Sequence, residues 1–182
     1  MNKNDWRYER FQKAKEDEAF VGSALTYVIG GGTSGSTFKQ DTKEHIDLLW
    51  DSPKRGVIGI DVKGVKANKT KKHDFDDSIN WLELQNVQGK DGWLKGKAEY
   101  IAFRTFTDVI FVKRTKLLNF IEEKIQGKEL VYKTPTEYYI PYQRRAWKLQ
   151  DIVVKVPTSD IRALADFTIN NIWYSDICSN KE

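Results

Sequence analysis

The chain has 182 residues, of which 40% are hydrophobic, 31% charged and 13% aromatic, a balance that excludes a disordered polymer and suits one folded domain spanning residues 1–182. No window approaches the run of about 20 apolar residues that a membrane helix needs, and "MNKNDWRYERFQKAKEDE" lacks the apolar centre of a secretory signal, so a cytoplasmic protein without membrane contact is expected. A single cysteine, Cys178, excludes an internal disulfide and a cysteine metal cage, two histidines make zinc hard to hold, and the net charge of +4 is modest, so any metal is expected to be a hard ion on carboxylates.

Residues 5–25 read as an amphipathic helix, with Trp6, Ala14, Phe20, Val21 and Ala24 at helical intervals among charges. The stretch "GGGTSGSTF" (30–38) lacks the Gly-Lys-Ser/Thr ending of a phosphate loop and reads as a flexible connector. "EHIDLLW" (44–50) and "GVIGIDVKGV" (56–65) read as two strands of a hairpin around "DSPKR". After a lysine-rich loop, "INWLELQNV" (79–87) makes a third strand with Leu82 and Leu84 on one face and Trp81, Glu83 and Gln85 on the other. "AEYIAFRTF" and "DVIFVKR" are further strands, and the second runs into a helix capped by Thr115, striped by Leu117, Leu118, Ile121 and Ile125 and ended by Gly127. Strands near 138–142 and 150–156 and a helix after Pro157 complete the chain. This order implies an α/β (α+β) fold around a mixed central sheet, with its core over about 5–127 and a small strand-helix extension over about 128–182.

The strand at 56–65 carries the chemistry. Ile58, Ile60 and Val62 share one face, which leaves Asp61 and Lys63 side by side on the other. In the preceding strand Ile46, Leu48 and Trp50 form the apolar face and His45 and Asp47 the polar one, so pairing brings Asp47 toward Asp61. Two carboxylates in close approach repel unless a cation sits between them. Magnesium suits such a pair, because it takes one or two carboxylates and fills its other positions with waters and phosphate oxygens. Glu83 can add a third carboxylate, and Lys63 can stabilise charge developing on a phosphate. Lys66, Lys69, Lys71 and Lys72 can then form a phosphate-facing edge. The plain alternatives are a cross-strand salt-bridge ladder and a solvated basic loop, and on geometry alone the ladder weighs as much as the metal site.

Other residues read as ordinary. His45 is a half-exposed strand histidine and His73 a solvated one, while Asp74, Asp76 and Asp77 lack the glycine and terminal glutamate of a calcium loop. Trp93 and Tyr100 read as packing aromatics, and "YQRRAWK" (142–148) suits either a nucleic-acid backbone or a sheet edge.

The pattern "EHIDLLW…IDVKGVK…WLELQNVQGKDGWLKGKAEYIAF…VIFVKRTKL", over about residues 44–118, resembles the PD-(D/E)XK nuclease superfamily, restriction-endonuclease-like proteins, and among them uncharacterised phage-encoded members. Asp47 matches the superfamily's first acid and "DVK", Asp61-Val62-Lys63, its second motif. Asp51 is a rival for the first acid, but it lies after the apolar alternation and beside Pro53. The chain departs from the pattern in having Asp61 where glutamate is commoner and no proline before Asp47. The resemblance implies an αβββαβ core, Mg2+ or Mn2+ on Asp47, Asp61 and Glu83, and hydrolysis of DNA phosphodiesters, with RNA left open. It also implies an acid from the first helix, for which Glu9, Glu16 and Glu18 are candidates. Cutting two strands calls for a homodimer, and a phage-encoded protein would work in the cytoplasm of its bacterial host. The other readings are a catalytically inactive nucleic-acid-binding module and a phage-type protein that modulates a host protein.

Overall fold

Asp5–Val28 form one long helix, α1, whose stripe of Val21, Ala24 and Leu25 is completely buried. The computed structural model describes residues 5–67, 75–143 and 150–171. Gly30, at φ +94°, ends the helix, and its N–H and that of Ile29 both close on the Leu25 carbonyl at 3.0 Å.

The glycine-rich stretch that follows is not a connector. It holds a strand, β1 (Gly32–Gly35), antiparallel to β2 (Leu48–Ser52). Gly31, at φ +88°, allows the approach, since a Cβ there would lie 2.0 Å from the Asp51 carbonyl oxygen. The expected hairpin forms between β2 and β3 (Gly56–Lys63), with Leu48 opposite Ile60 and Trp50 opposite Ile58. A two-stranded ribbon follows, β4 (Lys66–Ala67) and β5 (Phe75–Asp76). Lys69, Lys71, Lys72 and His73 lie outside the described residues, as do Cys178 and most of "YQRRAWK".

The reading of 79–87 as the next strand of the hairpin's sheet needs correction. β6 (Ile79–Gln85) does form, with Leu82 fully buried, but it pairs with β10 (Ile152–Pro157) in a second sheet completed by β9 (Tyr142–Gln143). The neighbour of β3 is instead β7 (Tyr100–Arg104), in parallel register, followed by antiparallel β8 (Asp108–Lys113) and then β11 (Phe167–Asn170). The central sheet therefore runs β1-β2-β3-β7-β8-β11. Parallel neighbours need a long crossover. Here β6 and a 3-10 turn at Trp93–Lys95 lie within it.

Both faces of this sheet are covered, which is why "YIAF" and "DVIFV" read as unbroken apolar runs. Leu48, Trp50, Ile58, Ile60, Tyr100, Ala102 and Phe111 pack with α1. Ile101, Phe103, Ile110 and Val112 pack on the opposite side with Leu82, Val154 and Val156 of the second sheet and with Leu117 and Ile121 of α2 (Arg114–Ile125). Ile46 joins this second core instead of sharing a face with Leu48. A π-helical turn over Gln40–Glu44, ended by His45 at φ 54°, breaks the strand alternation before Leu48. Of the C-terminal strands expected near 138–142 and 150–156, the second forms as β10 and the first only as the short β9; the helix after Pro157 forms as α3 (Thr158–Ala163) with Ile161 buried, and β11 completes the central sheet. The fold is thus α+β, with a mixed central sheet flanked by helices.

Candidate functional site

Because the second layer covers the face that bears Asp61, its carboxylate is buried, with 1% of its surface exposed. Sequence alternation alone makes that face polar and solvated. Asp61 instead lies beside Ile101 of β7, and Lys63 beside Phe103. Lys63 Nζ donates to Asp61 Oδ1 and sits 4.5 Å above the Trp93 ring, which is itself held edge-on against Phe103. A cation over an indole face gains about 0.5–2 kcal/mol, so the ring helps to fix the ammonium that the carboxylate also holds.

Asp47 arrives from just before β2. Its N–H donates to the Ile60 carbonyl at 2.9 Å, and its Oδ2 accepts the Val62 N–H at 2.7 Å. The side chain thereby continues the ladder and lies against Asp61. The remaining oxygen, Asp61 Oδ2, is buried and finds no hydrogen-bond donor. A buried acceptor without a partner costs about 1–3 kcal/mol, more when charged. Burial pushes the Asp61 carboxyl well above the usual carboxylate range; Lys63 opposes that shift and Asp47 adds to it. A proton shared with Asp47 satisfies the oxygen, and so does a cation between the two carboxylates.

Around this pair stand further charges. Glu18 of α1 accepts from Lys15 at 2.7 Å, and burial raises its carboxyl pKa, with Lys15 opposing and Asp47 and Asp41 reinforcing the rise. Of the three helix acids considered from sequence, Glu18 is therefore the one that senses Asp47, while Glu9 and Glu16 are exposed. His45 is half-buried, and its pKa is lowered first by burial and then by Lys63. Asp51 is exposed at the far end of β2, opposite Val57, away from Asp61.

Glu83 is not brought into the pair. It sits on the second sheet, opposite Val153, with its carbonyl and side-chain stem against Gly92, and among the described residues no group of three acids, histidines or cysteines assembles to hold a metal. Lys66 lies in the short ribbon after β3, and the other three lysines of the basic run are outside the described residues.

Two features escaped the sequence reading. Asp17, buried on α1, pairs with Lys13 and with Arg104 at the end of β7, while Arg104 stacks over Phe20 at 4.0 Å. Its carboxylate fills the space beside Gly64, where a Cβ would come within 1.8 Å of Oδ2. The signal was available: Asp17 falls on the same helical stripe as Val21 and Ala24, an acid in an apolar position. The second is Trp93, whose contact with Lys63 no local pattern reveals.

No protein-family model, curated protein or solved structure matches the chain. The reading of the site accordingly rests on its own geometry.

Proposed function

We propose that the chain is a metal-dependent nuclease that hydrolyses DNA phosphodiesters, as an endonuclease, with Asp47, Asp61 and Lys63 as its reactive constellation. The observation that carries this reading is the buried Asp61 Oδ2, without a donor, on a carboxyl group influenced by that of Asp47 and two residues along the strand from a lysine of the same face. A salt-bridge ladder accounts for Lys63 and one oxygen of Asp61. It leaves the other oxygen unexplained.

The donor set fits a hard divalent ion, since it offers only carboxylate oxygens and leaves positions for water and phosphate, as Mg2+ or Mn2+ requires. Such an ion, when bound by Asp47 and Asp61, supplies Lewis-acid stabilisation of charge on the phosphate and lowers the pKa of water. Lys63, held by Asp61 and Trp93, presents a fixed cation where negative charge grows on phosphorus, at no reorganisation cost during reaction. Asp47, anchored by the Val62 N–H, keeps the two carboxylates from separating. The bland partner of this proposal, an inactive binding module with the same charges, has no use for a buried oxygen lacking a donor.

The test is cleavage of labelled linear duplex, single-stranded, branched and circular DNA with Mg2+ or Mn2+. Lys63→Met keeps the stem over Trp93, and Asp47→Asn keeps an oxygen for the Val62 N–H, so both should retain native far-UV circular dichroism. Each should cut at least about 100-fold more slowly, the size of one lost electrostatic contact to the transition state. Natural protein that binds every DNA and cuts none would replace this reading with a binding module. A one-to-one complex with a host protein and no affinity for DNA would point to a modulator.

A further inference from the structure

β1 is an edge of the central sheet, and among the described residues nothing pairs with its outer side. Its inner side is fixed by register. Gly35 lies opposite Leu48, and the Ser36 N–H just beyond donates to the Asp47 carbonyl at 3.2 Å. Backbone groups point alternately to the two sides of a strand, so the N–H and C=O of Thr33 and Gly35 face away from β2. Such an unpaired row is a template for another strand, and proteins guard it with lysine, proline or a bulge. "GTSG" has neither residue, and its register with β2 is unbroken.

Exposed apolar side chains stand at both ends of this edge. Val28 and Ile29, 51% and 41% exposed, precede it at the end of α1, and Phe38, 82% exposed, follows it. Ile29 and Phe38 are each three residues from the strand, a reach of at most about 11 Å. Phe38 sits on a fixed turn, in which the Asp41 N–H donates to the Thr37 carbonyl at 2.9 Å and Thr42 Oγ1 to the Phe38 carbonyl at 2.7 Å. Charge follows the same order: Asp51, opposite Gly32, marks the first end and Lys39 the second, both exposed and neither in an ion pair among the described residues.

We propose that β1 pairs antiparallel with β1 of a second copy of this chain, about a twofold axis at Ser34, and so joins two central sheets into one. The reversed direction of the partner strand sets Phe38 of each copy beside Val28 and Ile29 of the other, and brings Lys39 toward Asp51. The edge is therefore complementary to itself, as a twofold interface requires. Thr33 and Gly35 pair across the axis through about four hydrogen bonds, and Ser34 meets its own counterpart as the close, non-hydrogen-bonded pair. Above the strand the way is open, because the groove of about 820 Å3 between α1 and β1 is lined on the helix by the small residues Ala19, Gly22, Ser23 and Thr26.

Sedimentation equilibrium of the full chain reads this pairing without reference to Asp47 or Asp61, so it stands or falls apart from the nuclease reading. The natural protein should dimerise over the micromolar range. Ser34 is exposed, so Ser34→Glu and Ser34→Lys should each fold normally by circular dichroism while setting like charges directly across the axis. Each should weaken association on the order of 100-fold. Mixing the two should restore it, because opposite charges then meet. Phe38→Ser, which changes no charge, should weaken it on the order of tenfold. Natural protein that stays monomeric at about 1 mM overturns the proposal. So does a dimer that neither the Ser34 variants nor Phe38→Ser disturbs, since its contact then lies elsewhere. A mixture of the two Ser34 variants that associates no better than either alone overturns the antiparallel register about Ser34.

Discussion

Asp61→Asn should yield a protein that cuts nothing and melts higher than the natural one. The two effects have one cause. Asp61 is buried and its Oδ2 has no donor, so its ionised form is held at a cost that burial imposes and Lys63 only partly offsets. Asparagine occupies the same volume, carries no charge, and can donate its amide to Asp47 while its oxygen accepts from Lys63. Removing a buried, charged acceptor without a partner should stabilise by about 1–3 kcal/mol, or about 2–12 °C in Tm for a chain of this length. The pH dependence follows from the direction of the shift. A carboxyl whose folded pKa lies above its unfolded value of about 3.9 weakens the fold as pH rises from that value through the folded one. The gap between the two proteins should therefore be absent in acid, open as pH climbs past about 4, and become constant once Asp61 is fully ionised. Divalent metal should close it from the other side: Mg2+ or Mn2+ at a hundredfold excess over its Kd stabilises the natural protein by about 2.7 kcal/mol and the asparagine variant hardly at all. If Asp61 instead exists to hold Lys63 in a structural ion pair, the variant melts lower at neutral pH and metal changes neither protein, which would discard the site as read.

Much of the fold was legible because it depends on local chemistry. The hairpin followed from two alternating apolar runs around a proline turn, the helix at Arg114–Ile125 from its leucine and isoleucine stripe, and the approach of Asp47 to β3 from strand geometry. The left-handed His45 changed the face of Ile46, yet the Asp47 carboxylate still reaches β3 at the Val62 N–H, next to Asp61. What stayed hidden was non-local. Nothing in "INWLELQ" distinguishes a strand that continues the hairpin's sheet from one that pairs with Ile152–Pro157, about seventy residues later in the chain. That single choice moved Glu83 away from the carboxylates and turned a solvated polar face into a buried one. The burial of Asp61, its most consequential property, is therefore a product of tertiary packing that its own strand does not encode.

The same packing makes the site vulnerable at a residue that carries no chemistry, Gly92. The turn "GWLKG" delivers Trp93 to Lys63, and its two glycines are clamped: a Cβ at Gly92 would fall 2.4 Å from the Glu83 carbonyl oxygen, and one at Gly96 2.8 Å from the Glu44 carbonyl oxygen and 2.8 Å from His45 Cβ. Both have ordinary extended backbones, so the cost of a side chain is steric and not conformational. At Gly92 the obstacle is the backbone of β6 itself, which cannot rotate aside. Gly92→Ala should cost about 2–3 kcal/mol, the upper range for overpacking, and lower Tm by about 4–12 °C. Gly96→Ala, with a wider gap, should cost less. Gly32→Ala, where nothing lies within 4 Å of the new atom, should be neutral or stabilise by up to about 1 kcal/mol through the unfolded chain. Thermal unfolding of the three variants gives the ranking. Cleavage at a temperature where each is folded separates stability from chemistry: a turn pushed off β6 takes the indole from under Lys63, so Gly92→Ala should cut more slowly even when native. Equal melting of all three would mean that the second sheet does not clamp the turn, and normal cutting by a destabilised Gly92→Ala would mean that Trp93 packs against Lys63 without positioning it.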